Sequence, residues 1–119
     1  MKSILIVDDE YAIVDVLSVL LAEEGYQVFT ACNGNEGLKK LSEVHPDLIL
    51  LDVMMPFLDG PSMFELLRSN PQFATLPVIF MSAACQFDLE LKNAKHADFL
   101  AKPFEVDRLL SLIQTSLRL

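Results

Sequence analysis

The chain has 119 residues, of which 52% are hydrophobic, and this is enough for one compact domain with a core of its own. Seventeen acidic residues against nine basic ones give a formal charge of −8, which argues against direct binding to nucleic acid or to an anionic membrane. No apolar stretch approaches the roughly 18 residues of a membrane span, and the first residues lack the layout of a signal peptide, so we expect a cytoplasmic protein.

The first half of the chain alternates short apolar segments with helical patterns. Residues 4–7 are predicted to form a strand that stops at an acidic run, and the apolar residues after it recur at helical spacing. Gly25 has the position of a glycine that ends a helix, and residues 26–31 suit a second strand. Asn33 can cap the next helix, so this half predicts two strand–helix pairs that lead into a third strand.

The second half continues the same alternation. An Asp-Gly-Pro turn precedes a helix predicted for residues 61–68, and an apolar strand follows at residues 77–81. A short, weaker helix is predicted around residues 87–94, then a strand at residues 97–101 and a last helix from about residue 105. This strict alternation predicts an α/β fold, with a parallel sheet covered by helices on both faces.

The third strand carries the most informative stretch. Its four apolar residues, 48–51, are followed at once by Asp52, and a proline closes the loop four residues later. An unbroken apolar run of this kind is typical of a strand buried on both faces of a parallel sheet. Because ligands in such folds bind beyond the carboxyl ends of the strands, Asp52 is the first candidate for chemistry.

Five polar residues are predicted to lie at the ends of four strands. They are Asp8 and Asp9 after the first strand, Asp52 after the third, Ser82 after the fourth and Lys102 after the fifth. Because the carboxyl ends of parallel strands share one edge of the sheet, we expect these side chains to converge. Three carboxylates repel one another, and a hard divalent cation such as Mg²⁺ relieves that repulsion. A lysine and a hydroxyl beside them can bind phosphoryl oxygens, which makes Asp52 a candidate nucleophile toward phosphorus.

Each of these residues also has a purely structural explanation. Asp9 can cap the first helix, and Ser82 can be a turn residue. Lys102 can be a surface lysine that packs its stem on apolar neighbours, and Asp52 can accept hydrogen bonds from its own loop. The coincidence of polar residues at four separate strand ends favours a functional site.

Five segments of the sequence resemble the receiver domain of bacterial two-component response regulators. They read IVDDE at 6–10, LDVMMP at 51–56, DG at 59–60, MSA at 81–83 and KPF at 102–104. The resemblance covers residues 1–119 and implies a flavodoxin-like (βα)5 sandwich, with a parallel sheet of order 2-1-3-4-5. It implies a phosphoprotein of phosphorelay signal transduction, whose phosphoacceptor is Asp52.

The resemblance also implies a metal site. Asp9, Asp52 and the backbone carbonyl of Met54 would hold Mg²⁺, and Asp8 would act on the ion through water. Ser82 and Lys102 would then bind the phosphoryl oxygens.

Two further features follow from the same resemblance. Phe99 matches the aromatic residue that changes position together with the Ser82 hydroxyl when receivers switch. The bond between Lys102 and Pro103 is usually cis in the family, and an X–Pro bond can adopt that form at modest cost.

The resemblance implies protein partners and no conventional enzyme activity. A sensor histidine kinase or a phosphotransfer protein would supply the phosphoryl group, and a downstream effector protein or domain would respond; a phosphorylation-dependent homodimer is also compatible. The domain would assist its own phosphorylation and a slow dephosphorylation. The resemblance implies that the residues two beyond the phosphoacceptor and two beyond the hydroxyl residue flank the approach of water to the phosphoryl group. Here they are Met54 and Ala84, and neither side chain can orient that water.

The sequence departs from the family pattern in one region. The interval from Ser82 to Lys102 is slightly shorter than the common family spacing, and Lys95 stands where a glycine is usual. Both changes fall on the face that receivers often use for partners, so the resemblance leaves open how the signal is passed on.

Other proteins with related features suit the sequence less well. A flavodoxin needs a loop rich in Ser, Thr and Gly after the first strand, and a dinucleotide site needs glycines there, where this chain has an acidic run. A haloacid-dehalogenase-like phosphatase needs a second aspartate where Met54 stands. The alternative that remains is a degenerate receiver, which binds proteins independently of phosphorylation and usually lacks an acid or the lysine that this chain retains.

Overall fold

The computed structural model describes residues 1–83 and 94–118. Its strands are β1 (Ser3–Val7), β2 (Gln27–Ala31), β3 (Leu48–Asp52), β4 (Val78–Ser82) and β5 (Ala97–Ala101). Its helices are α1 (Tyr11–Glu23), α2 (Gly34–Val44), α3 (Gly60–Ser69) and α4 (Val106–Leu117). The short helix predicted around residues 87–94 falls on the part of the chain outside these ranges, apart from its last residue. Among the described helices, none has the length and apolar character needed to cross a bilayer.

The five strands form one parallel sheet of order β2-β1-β3-β4-β5, which confirms the flavodoxin-like fold. The central strand β3 is buried along its whole length, as its apolar run predicts. Ile49 and Leu51 face the core under α2 and α3, whereas Leu48 and Leu50 face the core under α1 and α4. Each such side chain contributes about 1.5–3 kcal/mol when fully buried, so burial on both faces holds β3 in place with Asp52 at its carboxyl end.

Two of the helices begin at side-chain caps. The Asn33 side chain accepts a hydrogen bond from the Glu36 N–H at 2.8 Å, as predicted for the start of α2. The Asp59 side chain accepts one from the Ser62 N–H at 2.8 Å and caps α3. Gly25, with φ +94°, follows the end of α1 in the left-handed conformation that its predicted position requires.

Helix α1 begins differently. Its N-cap residue is Glu10, whose side chain makes no capping hydrogen bond. Asp9 therefore does not cap α1, and the structural explanation considered for Asp9 is wrong. The preceding carboxylate, Asp8, accepts a hydrogen bond from the Glu10 N–H at 2.9 Å, which ties the end of β1 to the start of the helix.

The loop between β3 and α3 folds back against the end of the central strand. A Cβ atom on Gly60 would lie 2.5 Å from the Asp52 carbonyl oxygen, so only glycine permits this approach. The Gly60 N–H donates to the Val53 carbonyl at 3.1 Å and closes the loop. This contact holds the backbone on both sides of Asp52 in place.

Candidate functional site

The carboxyl edge of the sheet brings together four of the five predicted strand-end residues. Asp8, Asp52 and Ser82 are 1%, 4% and 1% exposed, and the Lys102 side chain is 9% exposed. Backbone hydrogen bonds fix the strand ends: the Lys102 N–H donates to the Ser82 carbonyl at 2.7 Å, and the Val53 N–H donates to the carbonyl of Met81 at 2.9 Å. The parallel topology therefore produces the predicted convergence.

Lys102 lies at the centre of the acidic cluster. Its Nζ is 2.9 Å from Asp8 Oδ2, 3.2 Å from Glu10 Oε1 and 3.6 Å from Asp52 Oδ1. Burial by itself would lower the pKa of Lys102, but the hydrogen bond that Lys102 donates to Asp8 and the charges of Asp52 and Asp8 outweigh burial and raise it. Lys102 is therefore a buried, charged ammonium and not a surface lysine.

The pKa of the Asp52 carboxyl is raised well above its ordinary value. Burial and the neighbouring charge of Asp8 raise the pKa of Asp52 to about 7, although Lys102 and the Met54 N–H oppose the shift. The Met54 N–H donates to Asp52 Oδ1 at 3.3 Å, so Asp52 does accept a bond from its own loop. One lysine leaves the acidic cluster undercompensated, and the site therefore suits an additional cation.

The donor atoms of the cluster fit a small hard cation. One carboxylate oxygen each from Asp8, Glu10 and Asp52 lie within 4.8 Å of one another. Carboxylate oxygens are the ligands that Mg²⁺ takes in proteins, usually one or two of them together with water.

Asp9 is not one of the three carboxylates whose oxygens lie within 4.8 Å of one another. It is exposed and lines a cleft of about 490 Å³ together with Met54 and Asp59 of the loop after β3. The Met54 side chain is exposed over 70% of its surface at the same cleft. The ligand roles of Asp9 and of the Met54 carbonyl stay predictions.

Phe99 points into the domain. Its half-buried ring stacks on Phe80 at 5.5 Å between ring centroids, and Phe80 meets Phe64 edge-on at 5.2 Å. Phe99 packs against the core around Phe80, and a change of its position with the state of the site stays a prediction. The Lys102–Pro103 peptide bond is cis, as the resemblance implied. Ala84, the second residue expected beside the water approach, lies outside the described ranges.

Sequence reasoning missed the contact between Glu10 and Lys102. Glu10 entered the predictions only as part of the acidic run after the first strand. No local signal would have found it, because Glu105 also stands at an N-cap without a capping bond, and the described part of the chain gives it no ion-pair partner.

The fold and this edge define a flavodoxin-like α/β domain with an acidic pocket that surrounds one buried lysine. A sequence model of the response regulator receiver domain matches residues 4–114. The chain belongs to this family.

Curated relatives match almost the whole chain. The "DNA-binding dual master transcriptional regulator RpaA" of a Synechocystis species is 36% identical, over 99% of this chain and 50% of that protein. The "Alkaline phosphatase synthesis transcriptional regulatory protein PhoP" of Bacillus subtilis is 40% identical, over 98% of this chain and 49% of that protein. The chain thus spans about half the length of these relatives.

Solved structures agree with this assignment. The chemotaxis response regulator CheY4 of Vibrio cholerae superposes with a TM-score of 0.89 at 30% identity, and the match covers 98% of both chains. The receiver domain of a signal transduction histidine kinase from Syntrophus aciditrophicus has a TM-score of 0.88 at 32% identity, and covers 99% of this chain and 91% of that one.

Proposed function

We propose that residues 1–119 form one receiver domain that accepts a phosphoryl group on Asp52 and then changes the surface it presents to a partner. The observation that carries this proposal is the position of Asp52, buried at the end of the central strand with Lys102 Nζ 3.6 Å from its Oδ1. Membership of the receiver family supports the same conclusion.

The transfer needs only positioning and charge neutralisation. The phosphorus–nitrogen bond of a phosphohistidine breaks as a carboxylate oxygen of Asp52 forms the new phosphorus–oxygen bond. The bonding electron pair stays on the donor's histidine nitrogen, and the histidine leaves as an imidazole protonated from solvent. The nucleophile is the ionised carboxylate, so Asp52 has no proton to lose in the step. Lys102 and Ser82 lie at the adjoining strand ends, where they would bind the phosphoryl oxygens.

The acidic cluster would hold Mg²⁺. Asp9, Asp52 and the Met54 backbone carbonyl are proposed as ligands, with Asp8 acting through water. The cation would neutralise phosphoryl oxygens during transfer. The crowded carboxylates and the raised pKa of Asp52 support a bound cation in this place.

The proposed partners are a sensor histidine kinase or phosphotransfer protein upstream and an effector protein or domain downstream, all in the cytoplasm. The similar proteins include transcriptional regulators about twice the length of this chain and a chemotaxis regulator that it covers almost completely. Both an attached effector domain and a separate effector protein are therefore compatible with the family. Phe99 is proposed to respond to phosphorylation together with Ser82.

Phosphorylation of a single residue tests the proposal. Acetyl phosphate with Mg²⁺ should add one phosphoryl group to the wild-type protein and none to Asp52→Asn, as measured by intact-protein mass. Asp15→Asn, an exposed aspartate on α1, is the matched control and should be labelled like the wild type. Labelling that persists in Asp52→Asn would show that another residue is the acceptor. A wild-type protein that takes no label would favour the phosphorylation-independent binding module.

Asp9→Ala is expected to weaken Mg²⁺ binding by roughly tenfold or more and to slow phosphorylation in parallel, because the metal would lose a carboxylate ligand. Calorimetric titration with Mg²⁺ measures the first effect, and the exposed Asp107→Ala provides a control on α4. If the Mg²⁺ affinity of Asp9→Ala equals that of the wild type, Asp9 is not a ligand.

The phosphorylated protein is expected to lose its phosphoryl group slowly. Hydrolysis requires a water placed in line with the phosphorus, and the exposed thioether of Met54 cannot orient one. Met54→Asn combined with Ala84→Glu should accelerate the loss by roughly one to two powers of ten, the range of a positioned acid–base group. A time course of the purified phosphoprotein in excess Mg²⁺ measures both rates. Decay of the wild type within seconds would contradict the prediction.

A further inference from the structure

Glu10 occupies a helix-capping position without capping the helix. The equivalent residues of α2 and α3, Asn33 and Asp59, accept hydrogen bonds from the first turns of their helices. The Glu10 side chain makes no such bond, and its Oε1 lies instead 3.2 Å from Lys102 Nζ. Because a cap stabilises a helix and Glu10 supplies none, its side chain is directed to Lys102 at the expense of α1.

The hydrogen bonds of Lys102 show which carboxylates hold it. The ammonium donates to Asp8 at 2.9 Å and to Glu10 at 3.2 Å, whereas Asp52 Oδ1 lies farther away, at 3.6 Å. The Asp8 side chain is fully buried, while that of Glu10 is 58% exposed. The exposed carboxylate of Glu10 is therefore closer to the ammonium than the buried carboxylate of Asp52 and competes with it for Lys102.

We propose that Glu10 is a positioning residue, which holds the Lys102 ammonium in the unphosphorylated protein and gives it up when a phosphoryl group forms on Asp52. The second half of this inference depends on the proposed function, whereas the first half does not. The exchange is favourable because phosphoryl oxygens are strong, multiply charged acceptors and an exposed carboxylate is a weak, solvent-screened one. The contact with Glu10 thus makes binding of a phosphoryl group by Lys102 less favourable, because the contact is lost each time Lys102 moves to that group.

Two substitutions separate this contact from a simple effect of charge. Glu10→Gln removes both the negative charge and the ion pair. Glu10→Asp keeps the charge, but its side chain is one methylene shorter, and aspartate at an N-cap can accept a hydrogen bond from its own helix. If the contact matters, Glu10→Asp should behave like Glu10→Gln; if only the charge matters, Glu10→Asp should behave like the wild type.

Glu105 provides the matched control. It is the exposed N-cap residue of α4 and makes no side-chain capping bond. In the part of the chain that the structure describes, it also has no ion-pair partner. Glu105→Asp and Glu105→Gln therefore repeat the same chemical changes at a helix start without the contact to Lys102.

The experiment has two readouts on the full chain. Side-chain NMR of Lys102 in the Mg²⁺-free, unphosphorylated protein should show a shifted and more mobile ammonium in both Glu10 variants. Beryllium fluoride with Mg²⁺, a mimic of the phosphoryl group, should bind both variants about two- to fivefold more tightly than the wild type, the effect of one partly exposed ion pair. Both Glu105 variants should match the wild type in both measurements.

The two measurements test the contact with Glu10 and the proposed function separately. Lys102 signals that are unchanged in both Glu10 variants, or a Glu10→Asp variant that matches the wild type, would overturn the inference. Altered Lys102 signals in a protein that binds no beryllium fluoride would support the contact and contradict the proposed function.

Discussion

Asp52→Asn is expected to raise the free energy of unfolding of the metal-free protein by about 1–3 kcal/mol at pH 8. Burial and the charge of Asp8 raise the pKa of Asp52 to about 7, so the ionised carboxylate is disfavoured in the folded protein. Asparagine has nearly the same shape and carries no charge. The variant should therefore fold more stably while it loses the phosphoacceptor.

The sign of this effect fixes its dependence on pH. Between the ordinary aspartate pKa of 3.8 and the folded-state pKa of about 7, the folded protein binds more protons at Asp52 than the unfolded chain does. The contribution of Asp52 to stability is therefore fully present below pH 3.8 and is lost as the pH rises to about 7. Urea unfolding of the wild type and Asp52→Asn should give a difference that grows over this interval and disappears below it.

Two controls complete this prediction. Asp15→Asn removes an exposed carboxylate and should leave the difference from the wild type small at every pH. Saturating Mg²⁺ should stabilise the wild type more than Asp52→Asn, because the variant lacks one proposed ligand. An Asp52→Asn variant that is less stable than the wild type at pH 8 without metal would contradict the charge argument.

Arg68→Met is expected to lower the free energy of unfolding by about 2–4 kcal/mol, through the loss of several hydrogen bonds made by one charged group. The guanidinium donates four hydrogen bonds of 2.9–3.3 Å to backbone carbonyls, those of Phe73, Leu76, Lys95 and His96. It thereby joins the end of α3 to the segment before β4 and to the segment that enters β5. Without Arg68, the half-buried carbonyl of Leu76 loses its 2.9 Å partner, whereas the carbonyls of Phe73 and His96 still accept from the N–H groups of Leu76 and Val78.

An aromatic contact of Arg68 also contributes to the expected loss of stability. The guanidinium carbon lies 4.4 Å from the ring centroid of Phe64, and burial lowers the pKa of Arg68 from its ordinary value. Methionine keeps the packing of the stem but not the donors, so the loss should come from hydrogen bonding and from the contact with the ring. Arg68→Lys should show an intermediate loss, because an ammonium lacks the planar fork that spans these carbonyls.

Urea unfolding measures the effect of Arg68. Arg108→Met changes an exposed arginine of α4 in the same way and should alter stability by less than about 0.5 kcal/mol. A loss below about 1 kcal/mol in Arg68→Met would mean that water replaces the guanidinium at these carbonyls.

The strands and most helices could be predicted because their signals are local. The apolar run at residues 48–51 predicts a buried strand, and Asn33 and Gly25 mark helix ends that the structure contains. The order of the strands in the sheet could not be predicted from local signals. Alternation predicts only a parallel sheet, and the order 2-1-3-4-5 came from the resemblance to receivers, because local periodicity does not encode which strands pair.

The start of α1 shows where local reasoning was wrong. Asp9 was a reasonable helix cap from its place in the sequence, but the N-cap position falls one residue later, at Glu10. The backbone N–H of Glu10 donates a hydrogen bond to Asp8, and its side chain accepts one from Lys102. Which of three consecutive acids faces the helix, the lysine or the solvent depends on the path of β1 out of the sheet.

The sequence by itself determined that Asp8, Asp52, Ser82 and Lys102 would share one edge, because each follows an apolar strand and parallel strands end together. Only the tertiary structure decided how these groups are paired. Lys102 and its two hydrogen-bonded carboxylates are more than ninety residues apart in the chain, and Arg68 reaches carbonyls on two separate segments. Such contacts depend on side-chain conformation and on the packing of distant elements, and no local pattern of residues specifies either.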